Sequence, residues 1–419
     1  MKTGQGHSGW LWTAILFAAN EIPSVVVTFV ALIMFLQLRL GMAQSTASSA
    51  VLLLPWAAQP LLGKMLSGLG RGRIFLHLTE LLLFVVLMVT ALTLDHGKWW
   101  LLTCLMAMSL LSVWHHLLTV DYYERRISRL PQPSPLLPVL RTISSQMATV
   151  LTYGLMIMAV GLLQIYFRQR AVAYSWALCI YILAGTYMAM TLLGLLLPSP
   201  TPHREYEGDA KAVMPQRQSL QLVPRSRGLA LLLLSAMLIP QGLMFYSRTI
   251  FLLAHPGNGG LGCTLQDVGF AQGTIGVIAF LLGVALGKLI LQGQQHQQAR
   301  TWLLLLCLGL SPSVYLFMTL WQPQQLYQLS TLTFVAQLLF GLGLNACRPF
   351  ILRLSDERQL QGIVNPLYSP VICISILPAM MLSGLLLEHV SFHTFFLIDT
   401  LLAPVGWLAI LTVQHLQKK

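Results

Sequence analysis

Long apolar runs follow one another along almost the whole chain, and they constrain its fold more than any single motif does. A helix that crosses a bilayer needs about 20 mostly apolar residues. Read between breaks of charge, proline and glycine, the 419 residues contain twelve such runs. They lie near 10–37, 43–66, 74–94, 99–119, 139–163, 172–197, 229–254, 267–291, 301–320, 327–348, 363–386 and 391–413. The sequence therefore predicts an all-α membrane protein with twelve transmembrane helices, called spans 1 to 12 below.

Charge is too scarce for a water-soluble protein of this length. Only 9% of the residues are charged and 56% are hydrophobic, whereas soluble chains carry roughly 25% charged residues. This composition excludes a soluble globular enzyme, a disordered chain and a nucleic-acid-binding protein. The predicted surroundings of the spans are the lipid bilayer.

The positions of the basic residues predict the orientation of the spans. If the N-terminus is cytoplasmic, 20 of the 25 Lys and Arg residues fall in inside segments, and only Arg39, Lys98, Arg168 and Arg170 fall in outer loops. Cytoplasmic loops are enriched in these residues. We therefore expect a multi-pass protein of the cytoplasmic (inner) membrane with both termini in the cytoplasm. The net charge of +12 is then a consequence of topology and does not indicate a polyanionic partner.

A polar stretch divides the twelve runs into two groups of six. Residues 198–228 are the longest hydrophilic segment, and they predict a cytoplasmic linker between one six-helix bundle at 1–197 and another at 229–419. The dipeptide Ile-Pro at 22–23 recurs at 239–240, and the tripeptide Leu-Gly-Lys at 62–64 recurs at 286–288. Matches in corresponding helices predict two pseudo-symmetric halves, the arrangement found in alternating-access carriers.

Residues 63–73, with the sequence GKMLSGLGRGR, resemble the loop 2–3 signature of the major facilitator superfamily. Ser67 stands where that signature has an Asp. The resemblance implies the twelve-helix fold of that superfamily, and it implies that small and basic residues at this end of span 2 hold an inner gate. The residues concerned are Gly63, Lys64, Gly70, Arg71 and Arg73.

A second resemblance covers about 250–290. The glycine pattern of this region, including Gly273 and Gly276, is similar to spans 7 and 8 of AmpG-type muropeptide permeases. The end of span 4, HLLTVDYY at 116–123, resembles a degraded form of their H-D-I-A-x-D-G-F/Y signature, with Leu117 in place of the first Asp. The resemblance implies the import of a peptidoglycan-derived sugar–peptide.

Polar and ionisable side chains within spans are the candidate functional residues, because they are costly in lipid. In span 1, Glu21, Ser24 and Thr28 share one helical face that is expected to line a central cavity. Glu21 is the leading candidate for a proton carrier. The alternative is a structural carboxyl that bonds to a neighbouring helix.

Span 7 carries Gln241 and Arg248, which are seven residues apart and share one face. The guanidinium of Arg248 could meet an anionic group of the substrate through a bidentate pair. It could instead form an ion pair with Glu21 or Asp267, or it could reach the outer membrane surface. The sequence leaves these three alternatives open.

Other candidates are assigned by their position in the spans. Gln59, His116 and Asn345 are expected along the substrate or proton pathway, although a buried histidine can also serve only as a hydrogen-bonding residue between helices. Asp121 at the inner end of span 4 and Arg141 in span 5 could pair as part of the inner gate.

Two further carboxyl groups lie in spans that are peripheral in the superfamily that the chain resembles. They are Asp399 in span 12 and Glu80, with His77, in span 3. We expect them to pack within their own halves, and their roles stay open.

Several signatures of chemistry do not occur in the sequence. It has no P-loop, no His, Cys and carboxylate set at metal-ligand spacing, and no G-x-S-x-G motif. We therefore expect no enzyme activity and no cofactor.

These features predict a secondary active transporter that moves a small polar solute by alternating access, coupled to protons. Sodium coupling and uncoupled facilitation are alternatives. Two readings from other classes also stay open: a sensor that keeps the fold without transporting, and a membrane-embedded transferase acting on a lipid-linked substrate. No nucleic-acid partner is expected, and the chain is expected to act as a monomer.

Overall fold

Helices of transmembrane length make up most of the described chain. The computed structural model describes residues 4–66, 72–124, 136–168, 171–197, 226–292, 296–354 and 369–418. Within these residues, eleven helices are long and apolar enough to cross a membrane. They are Trp10–Gln37, Arg73–His96, Lys98–Tyr122, Leu137–Tyr166, Val172–Leu196, Arg227–Leu253, Leu265–Leu291, Gln297–Trp321, Leu326–Leu354, Pro370–His389 and Phe392–Thr412. They correspond to spans 1 and 3 to 12.

Span 2 is an interrupted helix. It consists of three consecutive segments, Met42–Val51, Leu54–Ala57 and Gln59–Leu66. Pro55 and Pro60 lack the backbone N–H that a continuous helix requires, so the hydrogen-bond ladder breaks twice. The hydroxyl of Ser109 in span 4 donates to the Leu52 carbonyl at the first break, over 2.6 Å. With span 2 included, the predicted count of twelve agrees with the structure.

The helix ends are set by local chemistry that the sequence contains. At the start of span 8, the Thr264 hydroxyl accepts from the Asp267 N–H at 3.2 Å, and the Asp267 carboxylate accepts from the Thr264 N–H at 3.0 Å. This reciprocal capping satisfies backbone donors that have no partner inside the helix. Between spans 3 and 4, Gly97 adopts a φ of 102°, a conformation that favours glycine.

Within the described residues, spans 1, 5 and 8 contain wider, π-helical turns along their length. These turns cover Val26–Val30 in span 1, Val150–Leu155 in span 5 and Gly269–Gly276 in span 8. Such turns are rare and occur often at functional sites. All three spans border the central cavity described below.

Spans 5 and 8 cross at glycines within their π-helical turns. A Cβ placed on Gly273 would lie 2.5 Å from the backbone N and Cα of Gly154. Further along the same pair of helices, a Cβ on Gly161 would lie 2.7 Å from the Gln266 side chain. Small residues allow membrane helices to approach closely, and here they bring a helix of the first six into backbone contact with a helix of the last six.

Spans 2 and 11 form a second crossing between the first six and the last six helices. A Cβ on Gly384 would lie 2.6 Å from the Met42 carbonyl oxygen and would overlap the Thr46 hydroxyl. The Glu388 carboxylate accepts from the Ala43 N–H at 3.0 Å. In the predicted topology, both crossings lie in the outer half of the membrane, so the two groups of helices meet at their outer ends.

Some predicted features lie outside the described residues. They include Gly70 and Arg71 of the expected inner gate and all but the last three positions of the expected linker at 198–228. The division into bundles at 1–197 and 229–419 therefore stays a prediction.

The crossing of spans 5 and 8 can be tested through Gly273. We expect Gly273→Ala to reduce the free energy of unfolding by about 1–3 kcal/mol, because the added methyl meets backbone atoms that cannot rotate away. The measurement is the thermal unfolding midpoint of the purified protein in detergent. Gly185→Ala in span 6 is the matched control, because no heavy atom lies within 4 Å of its added Cβ. Equal midpoints for the two variants would show that the crossing is not tightly packed.

Candidate functional site

A cavity lies among spans 1, 5, 7, 8 and 10. The space in it that is open to the centres of water-sized molecules is about 40 Å³, which is enough to hold water. Because spans 1 and 5 come from the first six helices and spans 7, 8 and 10 from the last six, both groups form its wall.

The polar part of the cavity wall is rich in amides. Its members are Gln146, Thr149, Tyr153, Arg248, Gln272 and Gln337. None of the lining residues in the described part of the chain is acidic. The cavity therefore combines one cation with uncharged hydrogen-bonding groups.

Aromatic rings form much of the remaining wall. Phe29 of span 1 stacks on Tyr153 of span 5, with ring centroids 5.1 Å apart and an interplanar angle of 23°. Phe280 of span 8 packs on Phe340 of span 10 at 5.6 Å. One ring pair thus comes from each group of six helices, and all four residues line the cavity.

Gln272 is held in place by two hydroxyl groups. Its Oε1 accepts from the Tyr153 hydroxyl at 2.5 Å and from the Thr249 hydroxyl at 2.8 Å. The 2.5 Å distance is at the short end of the range for O–H···O bonds and below the range for N–H···O bonds, so the amide oxygen faces the Tyr153 hydroxyl. Its Nε2 is buried and has no hydrogen-bond partner among the described residues. The free side of this amide is therefore a donor.

Arg248 is a buried cation without a carboxylate beside it. The residue is 5% exposed, and its guanidinium lies 5.4 Å from the ring centroid of Phe245. Its Nε has no hydrogen-bond partner in the described structure. The ion pairs within the described residues involve only Glu80 and two histidines, so the expected alternatives of a pair with Glu21 or Asp267 do not occur in this conformation.

Glu21 lies behind the cavity wall. The Ser145 hydroxyl donates to its Oε2 at 2.6 Å, and the Thr149 hydroxyl is 3.5 Å from its Oε1. Glu21 is 2% exposed. Because Thr149 also lines the cavity, a single side chain separates the carboxyl from the cavity.

The rest of the polar face of span 1 joins spans 2 and 4. The Ser24 hydroxyl donates to the Asn20 carbonyl at 3.0 Å, and the Asn20 amide nitrogen is 3.2 Å from Nδ1 of His116. The imidazole of His116 packs edge-on against Trp56, with ring centroids 5.2 Å apart. Thr28 is buried, and its hydroxyl has no hydrogen-bond partner among the described residues.

Gln241 satisfies a carbonyl that a proline leaves free. Its Nε2 donates to the Leu308 carbonyl in span 9 at 2.7 Å. In a regular helix this carbonyl would accept from residue 312, but Pro312 has no N–H. Gln241 therefore joins spans 7 and 9, and it is not among the cavity-lining residues.

Asn345 and Gln59 also lie away from the cavity wall. The amide nitrogen of Asn345 donates to the Gly341 carbonyl at 3.0 Å and to the Val284 carbonyl of span 8 at 3.3 Å. Asn345 thus joins spans 10 and 8. Gln59 is 6% exposed, and its Oε1 has no hydrogen-bond partner in the described residues.

Arg73 closes the end of span 6. Its guanidinium donates to the carbonyls of Gly194, Leu195 and Leu197 at 3.1, 2.6 and 2.9 Å. The last carbonyls of a helix have no partner within it, and a cation there also favours the helix dipole. Arg73 lies in addition 5.1 Å from the ring centroid of Trp12 in span 1.

The other expected gate residues are placed as follows. A Cβ placed on Gly63 would lie 3.8 Å from the Leu117 side chain of span 4, and Lys64 is exposed. The guanidinium of Arg141 lies over the rings of Phe17 and Tyr123, at 5.3 and 5.5 Å. Asp121 is partly buried near the inner end of span 4. Its pairing with Arg141 stays a prediction.

Glu80 forms a buried cluster that the sequence indicated only in part. Its carboxylate is 2.7 Å from Nδ1 of His77 and 3.4 Å from Nε2 of His115. Nε of Arg73 donates to the other nitrogen of His77 at 3.4 Å. The neighbour His77 was evident from the spacing, whereas His115 comes from span 4 and meets Glu80 only in the folded chain.

Asp399 is fully buried in span 12. Neither of its carboxyl oxygens has a hydrogen-bond partner among the described residues. It does not line the cavity. An isolated buried carboxylate is very costly in such surroundings.

Sequence reasoning overlooked most of the cavity wall. It selected Arg248 but not Gln146, Gln272, Gln337 or the rings of Phe29, Phe280 and Phe340. A polar amide within an apolar run was an available signal, because such side chains are rare in spans and commonly bond across helices. The rings gave no signal, because aromatic residues in spans are usually packing residues or interface anchors.

Comparison with known proteins supports the fold. No family model matches the chain, and no curated protein matches it in sequence. Two solved structures are similar along nearly their whole length, and both are of the nucleoside transporter NupG. A NupG mutant has a TM-score of 0.64 and 14% identity, with 96% of this chain and 99% of that chain covered. NupG itself has a TM-score of 0.64 and 12% identity, with 98% and 99% covered.

The predicted fold class is confirmed. At this level of identity the likeness concerns the fold: an all-α membrane protein built like a transporter of known structure. It gives no support to the AmpG-type muropeptide group in particular, so that resemblance stays a prediction.

The bond from Gln241 to the Leu308 carbonyl can be tested by a double-mutant cycle. We expect Gln241→Ala to lower the free energy of unfolding by about 1–3 kcal/mol, because a buried carbonyl is left without a donor. Pro312→Ala supplies an N–H to that carbonyl, so the double variant should lose less than the single variants predict by addition. Unfolding in mixed micelles measures each value. Additive losses would contradict the assignment.

Proposed function

We propose that this protein is a secondary transporter that moves a small polar solute across the cytoplasmic membrane by alternating access. The observation that carries the proposal is a polar cavity whose wall comes from both groups of six helices. Substrate sites of such carriers lie between the two halves near the membrane midplane. The fold shared with NupG, whose name is that of a nucleoside transporter, adds support.

The packing of the two groups supports a specific state of the transport cycle. Spans 5 and 8 cross at Gly154 and Gly273, and spans 2 and 11 cross at Gly384. Both crossings lie in the half that the basic residues predict to be outer. The inner segment of span 2 packs instead on span 4 of its own group. We assign this conformation to a carrier that is closed on the outside.

Proton coupling through Glu21 is the second part of the proposal. The carboxyl is buried and lies 3.5 Å from the hydroxyl of Thr149, a residue that lines the cavity. Protonation would change the charge directly behind the wall that the solute touches. Sodium coupling and uncoupled facilitation are the competing mechanisms, and a peptidoglycan-derived sugar–peptide and a nucleoside are the solutes that the two likenesses favour.

The proposed closing of the outer end can be tested by cross-linking. Ala43→Cys and Glu388→Cys place thiols at the outer end of the crossing of spans 2 and 11, in a background in which the six native cysteines are replaced. We expect a short, reducible thiosulfonate cross-linker to stop solute exchange in proteoliposomes, because opening must separate these spans. Reduction should restore exchange, and each single-cysteine variant with the same reagent is the control. Undiminished exchange by the cross-linked protein would contradict alternating access at this crossing.

The coupling role of Glu21 has a separate test. We expect Glu21→Gln to abolish accumulation driven by a pH gradient while leaving downhill solute exchange measurable, because the amide cannot exchange a proton. Ser145→Ala is the comparison variant: it removes a donor to the carboxyl and keeps the titratable group. Accumulation by Glu21→Gln at the rate of the unsubstituted protein would show that another residue, or no residue, carries the proton.

A further inference from the structure

We propose that the solute is a planar ring compound that carries a compact anionic group, a carboxylate or a phosphate. This inference rests on the proposed function and names the substrate class of the same cavity. It separates this chain from a carrier of uncharged ring compounds.

The charge of the cavity wall favours an anionic solute. Arg248 is its cation, and no acidic side chain lines the cavity within the described residues. A buried charge is costly unless it is paired. Phe245 holds one face of the guanidinium, but a ring does not replace a counter-ion. A carboxylate or phosphate can accept two parallel N–H bonds from the guanidinium, which is the geometry that arginine provides best.

The hydrogen-bonding groups near Arg248 offer donors to a solute. The acceptor atom of Gln272 is occupied by the hydroxyls of Tyr153 and Thr249, while its Nε2 has no partner in the described chain. Gln272 therefore adds a free donor to the donors of Arg248. A wall with free donors is complementary to a solute with many acceptors, and anionic groups are the strongest acceptors.

The aromatic part of the cavity wall favours a planar solute. The ring pair of Phe29 and Tyr153 and the ring pair of Phe280 and Phe340 come from different groups of helices. Aromatic rings pack best with other planar rings, in stacked or edge-to-face contacts. Rings on two sides of a cavity that also contains an arginine favour a flat solute over a flexible chain.

The experiment measures binding to the full-length protein in nanodiscs by calorimetry, with matched probes. Orotate and its neutral carboxamide differ in charge but share the ring. Orotate and dihydroorotate share the carboxylate but differ in ring planarity. Uridine monophosphate and uridine form the pair that tests phosphate. We expect orotate or uridine monophosphate to bind at least about tenfold more tightly than its neutral partner, as charge-assisted hydrogen bonds are stronger than neutral ones.

Substitution of the cation links this preference to the cavity. We expect Arg248→Gln to remove the advantage of the anionic probe and to change the affinity of the neutral probe little. Arg248→Lys should retain part of the advantage, because it keeps the charge and loses the planar fork. Arg300→Gln is the matched control, because Arg300 bonds the Ile290 carbonyl at 3.1 Å near the inner end of span 8 and lies outside the cavity.

The planar contact has its own variant. Phe340→Leu should reduce the preference for orotate over dihydroorotate and leave the preference for orotate over its carboxamide in place. If Arg248→Gln does not fold, the Arg248→Lys variant and the probe pairs on the unsubstituted protein still decide the outcome.

Three results would overturn the inference: equal affinity within every charge pair, tighter binding of the neutral probes, or no saturable binding of any anionic probe at millimolar concentration. The failure of the proposed function is distinguishable from these. If a neutral nucleoside binds and exchanges across the membrane, the substrate class is wrong and the transporter stands. If an anionic probe binds in the cavity but no solute ever exchanges, the class stands and the transport proposal fails.

Discussion

Lipid offers no hydrogen bonds to a polypeptide, and the rest of this structure depends on that constraint. Every carbonyl and N–H within the membrane must find its partner inside the protein. Where Pro312 leaves the Leu308 carbonyl without a donor, Gln241 of another helix supplies one, and at the first break in span 2 the Ser109 hydroxyl of span 4 donates to the Leu52 carbonyl. At the end of span 6, the guanidinium of Arg73 likewise donates to backbone carbonyls that have no partner within the helix. Several of the polar residues within spans therefore hold helices together.

The same constraint explains which polar groups stand out at the cavity. Some buried side-chain donors and acceptors nearby are engaged with one another, as in the set of Tyr153, Gln272 and Thr249. The Nε of Arg248 and the Nε2 of Gln272 have no hydrogen-bond partner within the described chain. In surroundings where unsatisfied donors are costly, their position on the cavity wall is the basis of the proposed site. Glu21, one side chain behind the wall, places a titratable group within reach of the same solute.

The sequence predicted the helices well, but it predicted few of the side-chain contacts between them. Apolar runs predicted the eleven membrane-length helices of the described chain to within several residues, and they predicted one span where span 2 is an interrupted helix. Hydrophobic length is a property of each segment, so it can be read without knowledge of the packing. The selection of Arg248 followed from the cost of a charge in lipid. The roles of Gln241 and Asn345 could not be predicted, since their partners are backbone carbonyls of spans 9 and 8. The contact between His115 and Glu80 could not be predicted either, because it depends on how spans 3 and 4 pack.

By itself, the sequence determined that this chain is a polytopic membrane protein of the twelve-helix class, because hydrophobic length and the scarcity of charge are properties of each segment. Only the tertiary structure decided which polar residues meet. The glycines at 154 and 273 show this most clearly. Gly154 looks like an ordinary residue of an apolar run, and Gly273 stands out only as part of a family-like glycine pattern, yet together they bring two helices into backbone contact and place Tyr153 beside Gln272. Contacts of this kind depend on the relative rotation and depth of two helices, which no single segment encodes.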